Sequence, residues 1–141
     1  MVVLVSAASA QTPATRDAPL DRLAKVEYFA LGLVGYEEVT SPGEKDYRLI
    51  LSRSSASADF ERLFSIGNPQ AKSYALVGLR ALNLTRFKKL SSSVRDSKVD
   101  VLTLSGCVGS HESLGAVLKH IEAGHYGLPT RTGIPTWQLG Q

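Results

Sequence analysis

One stretch leaves the rest of the chain little freedom. Residues 68–82 read Asn-Pro-Gln-Ala-Lys-Ser-Tyr-Ala-Leu-Val-Gly-Leu-Arg-Ala-Leu. Asparagine caps a helix by accepting a hydrogen bond from an orphan amide, and proline loses nothing at the first helical position. Ala71, Tyr74, Ala75, Gly78, Leu79 and Leu82 then fall on one face. Leu76 and Val77 carry apolar groups round the remaining sides. A helix that is apolar on so much of its circumference belongs in the middle of a fold rather than at its rim.

A second helix start is written just as plainly. Ser41-Pro42-Gly43-Glu44 has the form of a capping box, in which the serine bonds the N3 amide, Glu44 reaches back, and Pro42 sits at N1. The pattern predicts a helix to about Arg53 with Tyr47, Ile50 and Leu51 inward. A serine-rich break at 52–57 precedes another helix over 58–66, with Phe60, Leu63 and Phe64 inward. Gly67 is suited to a left-handed C′ position at its end. Beyond the central helix, Phe87, Leu90 and Val94 mark the inner face of a helix over 86–95.

Residues 41–53 align without gaps on 68–80. They share Pro42/Pro69, Lys45/Lys72, Tyr47/Tyr74, Leu49/Leu76 and Arg53/Arg80 at an offset of 27. Each copy leads into a second helix, and recurring helix pairs at a fixed spacing are how helical arrays are written. Over 41–95 the chain resembles the short form of HEAT-like repeat, with AKSYALVGLRAL standing where such repeats carry their apolar inner helix. The resemblance implies an array of helical hairpins. Two copies suit a compact helical domain as well as a solenoid, since solenoids usually need three or more.

The period changes after Lys98. Val99-Asp100-Val101-Leu102-Thr103-Leu104 alternates and is β-branched, which reads as a strand. Its backbone groups need a partner. Residues 28–36 (YFALGLVGY), read as an extended buried segment, are expected to pair with it or lie beside it. Residues 105–109 form a turn, and Ser110 is expected to cap a last helix with Leu114, Val117, Leu118 and Ile121 inward, ending at Gly124. The fold class is thus mainly α, a compact array of helical hairpins with a minor two-strand β element.

A chain of 141 residues fits one core domain, placed here at 20–127. Before it, Val2-Val3-Leu4-Val5 and the A-x-A residues Ala8 and Ala10 resemble the end of an export signal over 1–10, cleaved before Gln11. The apolar run is short and no Lys or Arg precedes it, so an apolar N-terminal tail is the other reading. Residues 11–19 read as a polar linker, and 128–141, around Trp137, as a loose tail. No run approaches the ~20 apolar residues of a membrane span.

Chemistry is thinly written. Gly106-Cys107-Val108-Gly109-Ser110-His111-Glu112 is the best candidate, because a glycine-bearing strand-to-helix turn presents free amides to anions and lowers a thiol pKa. Gly106, Gly109 and Ser110 would form the anion site, and Cys107 with His111 a thiol–base pair. The blander reading is a tight turn beside a cysteine acting as a small apolar residue. No phosphate-loop lysine and no G-x-S-x-G elbow is present. As the only cysteine, Cys107 excludes an intramolecular disulfide. Cys107, His111, His120 and His125 make a poor zinc set, since on a helix from Ser110 the nine-residue step from His111 to His120 would point them apart. No metal or cofactor is therefore expected. Arg86, Lys88, Lys89, Arg95 and Lys98 read as a solvated helix face, and a net charge of +3 does not call for nucleic acid. Glu37-Glu38 pairs with no second carboxylate at a recognisable spacing. The functional expectation is a small exported interaction or structural module with another protein as partner. The alternative is a small enzyme or ligand-binding protein using Cys107 and His111.

Overall fold

The computed structural model describes residues 17–126 apart from Tyr36, and only the backbone of Leu33. In chain order these residues form α1 (Ala18–Ala24), β1 (Leu33–Val34), β2 (Val39–Thr40), α2 (Pro42–Leu51), α3 (Ala56–Ile66), α4 (Pro69–Leu82), α5 (Leu84–Val94), β3 (Asp100–Ser105), β4 (Val108–Ser113) and α6 (Leu114–Glu122). The fold is mainly helical, and β3 and β4 form an antiparallel hairpin. The expected signal remnant at 1–10 and the tail at 128–141 lie outside the described residues. Of the expected 11–19 linker, Asp17 caps α1 by accepting from the Leu20 amide, and Ala18 and Pro19 open that helix.

Helix α4 is the centre. It touches α1, α2, α3, α5, α6 and β3, and Tyr74, Ala75, Leu76, Val77 and Leu79 on it are all buried. Asn68 caps it through the Ala71 amide at 2.8 Å. Tyr47 and Tyr74 do enter one interior, with ring centres 5.7 Å apart, and Phe60 packs on Tyr47. The echo between the two segments stops at their outer positions. Leu76 is fully buried on the central helix, whereas its counterpart Leu49 on α2, which packs against α1, α3 and α4, is 52% exposed.

Several boundaries depart from the sequence reading. The capping box is half made: Ser41 accepts from the Glu44 amide, but the Glu44 carboxylate accepts from the Gly32 amide and from Arg48. Gly67 is extended rather than left-handed. A side chain there is excluded by space, since a Cβ would come within 2.5 Å of the Ala71 Cβ. The last helix starts at Leu114, capped by Ser113 through the Ala116 amide, so Ser110 is not its cap. Residues 108–113 form instead a second strand, and Gly106-Cys107 make a two-residue hairpin turn. Gly106 carries φ +57 and Cys107 no positive φ, the pattern of a II′ turn with glycine first.

The segment 28–36 does lie beside β3, as a parallel neighbour. The Phe29 amide donates to Leu102 O at 2.8 Å, and the Leu104 amide donates to Phe29 O at 3.0 Å. Further on, the Gly35 amide donates to Gly106 O. Strand β3 is thus flanked on both edges, and β4 is the outer strand.

Candidate functional site

A cleft of about 580 Å³ opens between the β3–β4 hairpin, the end of α6 and the 29–32 segment. Phe29, Leu31, Leu104 and Tyr126 supply its apolar lining, and Thr103, Ser110, Glu112, His120 and His125 its polar lining. Strand alternation decides which residues of β4 reach it. Ser110 and Glu112 line the cleft, while His111 between them does not.

The polar groups form a connected row. Glu112 Oε1 lies 3.1 Å from His120 Nε2, and His120 Nδ1 lies 2.9 Å from His125 Nδ1. Thr103 Oγ1 donates to Ser110 O and approaches Glu112 Oε2. With both imidazoles neutral, one proton arrangement satisfies the row: His120 donates Nε2–H to the carboxylate, and its bare Nδ1 accepts Nδ1–H from His125. Among the described residues nothing bonds the outer nitrogen of His125, which is then an acceptor.

The histidine contact follows from how α6 ends. The His125 amide donates to His120 O and the Gly124 amide to Ile121 O, the two bonds of a Schellman motif. Gly124 takes the left-handed C′ position with φ +81, where a side chain is strained. This reversal carries the residue after the glycine back over the last turn. Here both residues brought together are histidines, with ring centres 4.9 Å apart and planes 28° apart.

Tyr126 closes the floor edge-on against Phe29, with ring centres 4.8 Å apart. Burial, with a smaller contribution from the Glu112 charge, pushes its phenol up to about 12. Phe29 in turn meets Tyr74 edge-on at 4.8 Å, so the cleft floor is continuous with the core around α4.

The residues singled out from sequence are placed otherwise. Cys107 is exposed at the tip of the hairpin. His111 Nδ1 bonds Asp100 Oδ2 at 2.7 Å on the exposed sheet, so its partner is a carboxylate and not the thiol. Gly106, Gly109 and Ser110 belong to the hairpin, and no helix opens there to present free amides. Of the basic group, Arg86 pairs with Glu61 and Arg95 with Glu122. Sequence reading missed Glu112, His120 and His125 as a set. Glu112 depends on a hairpin that was not foreseen. The histidine pair carried a local sign, since His120 and His125 hold the C3 and C″ positions that a C′ glycine brings into contact.

No family model matches this chain, and no curated protein or solved structure matches it.

Proposed function

We propose that this domain binds a small, partly apolar molecule in the cleft between the β3–β4 hairpin and α6. Phe29, Leu31, Leu104 and Tyr126 take the apolar body, and Glu112, His120 and His125 hold its polar group. One observation carries this reading: a cleft of about 580 Å³ with an aromatic floor and a hydrogen-bonded polar row on one wall. Small-molecule sites are built in that way, mostly apolar with a few convergent polar groups, at about 300–1,000 Å³. A fragment screen by amide chemical-shift mapping tests it. Fragments are expected to shift Phe29, Leu104, Glu112 and Tyr126, and Ser110→Arg, an exposed change at the mouth, should weaken them at least tenfold. Fragments that map elsewhere, or that ignore Ser110→Arg, would overturn the assignment.

A second reading is a protein-interaction module, as the likeness of 41–95 to HEAT-like repeats implies. The outer edge of β4 favours it, because Val108 is 69% exposed and Gly109, Ser110 and His111 are exposed with it. A partner adding a strand there would use main-chain bonds. Export belongs to this reading and rests on the residues around Ala8, Ala10 and Gln11.

A further inference from the structure

We propose that His120 and His125 bind a divalent first-row transition-metal ion, Zn²⁺ or Cu²⁺, through their Nδ1 atoms, with Glu112 orienting His120 from behind. The proposal deepens the reading of the cleft wall but does not need an organic ligand to be bound there.

Three observations converge. The two Nδ1 atoms face each other at 2.9 Å with a single proton between them, which is where a metal ion sits when two imidazoles share it. The other nitrogen of His120 is engaged by Glu112 at 3.1 Å. That is the carboxylate–histidine arrangement which fixes the tautomer and raises the basicity of a metal-bound imidazole. Backbone geometry, finally, holds the pair independently of the side-chain contact, since both Schellman bonds at Gly124 are made by main-chain atoms.

The fit requires a small opening. Imidazole ligands about 2.0–2.1 Å from a tetrahedral ion stand roughly 3.3 Å apart, so the rings must part by about 0.4 Å. His125 is exposed and follows the last turn of α6, so it is free to move by that much. Among the described residues no three His, Cys, Asp or Glu side chains converge on one point. The protein therefore supplies two ligands, and water or a molecule in the cleft completes the shell. Imidazole nitrogens suit zinc and copper over calcium or magnesium, and affinity follows Cu²⁺ above Zn²⁺. On binding, the ion takes the place of the shared proton, which moves to Nε2 of His125, so two neutral imidazoles bind the ion without net proton release. From sequence alone His111 falls on the last helix and points away from His120, whereas in the fold it lies on β4. The pair in the fold is His120 with His125, and His111 is not part of it.

The test is titration of tag-free protein with Zn²⁺ and Cu²⁺ by calorimetry in two buffers of different ionisation enthalpy. Copper resonance spectra read the number of bound imidazoles. Expected, at a pH where both imidazoles are neutral, are one ion per chain, two nitrogen ligands and a binding enthalpy that is the same in the two buffers. His120→Ala and His125→Ala should each abolish that binding, with circular dichroism unchanged because both side chains lie at the surface. Glu112→Gln should weaken it about 10–100-fold. Cys107→Ser and His111→Ala should leave it as in the wild type. Absence of binding, survival of it in either alanine variant, or its loss in Cys107→Ser would overturn the proposal. None of these outcomes affects the fragment test, so failure of the metal site and failure of the cleft are told apart.

Discussion

Tyr74 does with one oxygen what a neighbouring strand would otherwise do. Its hydroxyl accepts from the Ala30 amide at 3.0 Å and donates to the Ala30 carbonyl at 2.8 Å. Both main-chain groups of a buried residue are thereby satisfied from a helix 44 positions away. Gly43 leaves room for it, since a Cβ there would stand 2.7 Å from the Tyr74 oxygen. Tyr47 offers the contrast. Its hydroxyl is as deeply buried and has no partner among the described residues. Removing the Tyr74 hydroxyl strands the Ala30 amide, the carbonyl keeping a longer bond from Ser41 Oγ at 3.4 Å, whereas removing an unpaired hydroxyl relieves a desolvated dipole. Tyr74→Phe is thus expected to cost about 2 kcal/mol. Tyr47→Phe should be neutral or stabilising by up to about 1 kcal/mol. Urea unfolding of the two variants checks the pair, and equal losses would show that the oxygen contact is not what distinguishes them. Nothing local in the sequence separates these tyrosines, which share a place in the 27-residue echo.

At the scale of elements, α4 shows packing overriding propensity. Gly78 sits mid-helix, where alanine is favoured by about 1 kcal/mol. A Cβ at that position would meet the Phe60 ring of α3 at 2.4–2.7 Å. Overpacking of that kind costs about 1–3 kcal/mol, so Gly78→Ala is expected to be destabilising on balance. A thermal melt lowered relative to wild type supports this, and a raised one would mean that Phe60 swings aside freely. The helices were largely legible in the chain because their signals are local: Ser41-Pro42, Asn68-Pro69 and Gly124 each act within one turn. The hairpin was not. Residues 108–113, Val-Gly-Ser-His-Glu-Ser, carry no apolar alternation, because β4 is the outer strand and most of it is exposed. Its place is set by pairing with β3, and pairing leaves no mark on an exposed strand's composition. With the hairpin unseen, Glu112 could not be put beside His120, and the cleft stayed out of reach of sequence reasoning.

For the molecule as a whole, buried phenols and one bridging arginine frame the pH range of stability. Arg53 joins Asp17 at the start of α1, at 2.8 Å, to Asp59 of α3. The Arg53 hydrogen bond holds the Asp17 carboxyl below its usual 3.8. Its contribution is therefore complete above the unfolded value and lost as pH falls through the lower folded one. At the other end, burial raises Tyr74 from 10.0 to about 12 and also raises Tyr47 and Tyr126. A raised folded pKa contributes fully below pH 10.0 and is lost as pH climbs through about 12. The expected result, in a Tyr28→Phe/Tyr36→Phe variant whose remaining tyrosines are Tyr47, Tyr74 and Tyr126, is one cooperative alkaline transition between those values, with phenolate absorbance and loss of helical circular dichroism moving together. Phenolate formation that runs ahead of a persistent helical signal would show that water reaches these rings in the folded state. One transition is expected because Tyr74 ties the segment beside β3 to the central helix, and Phe29 carries the connection on to the cleft.

The chain reversal at Gly124 has a consequence in time. The two imidazoles stand on opposite sides of a helix terminus, and termini fray within nanoseconds to microseconds, far sooner than a core opens. Anything that grips both rings at once stitches that loose end down.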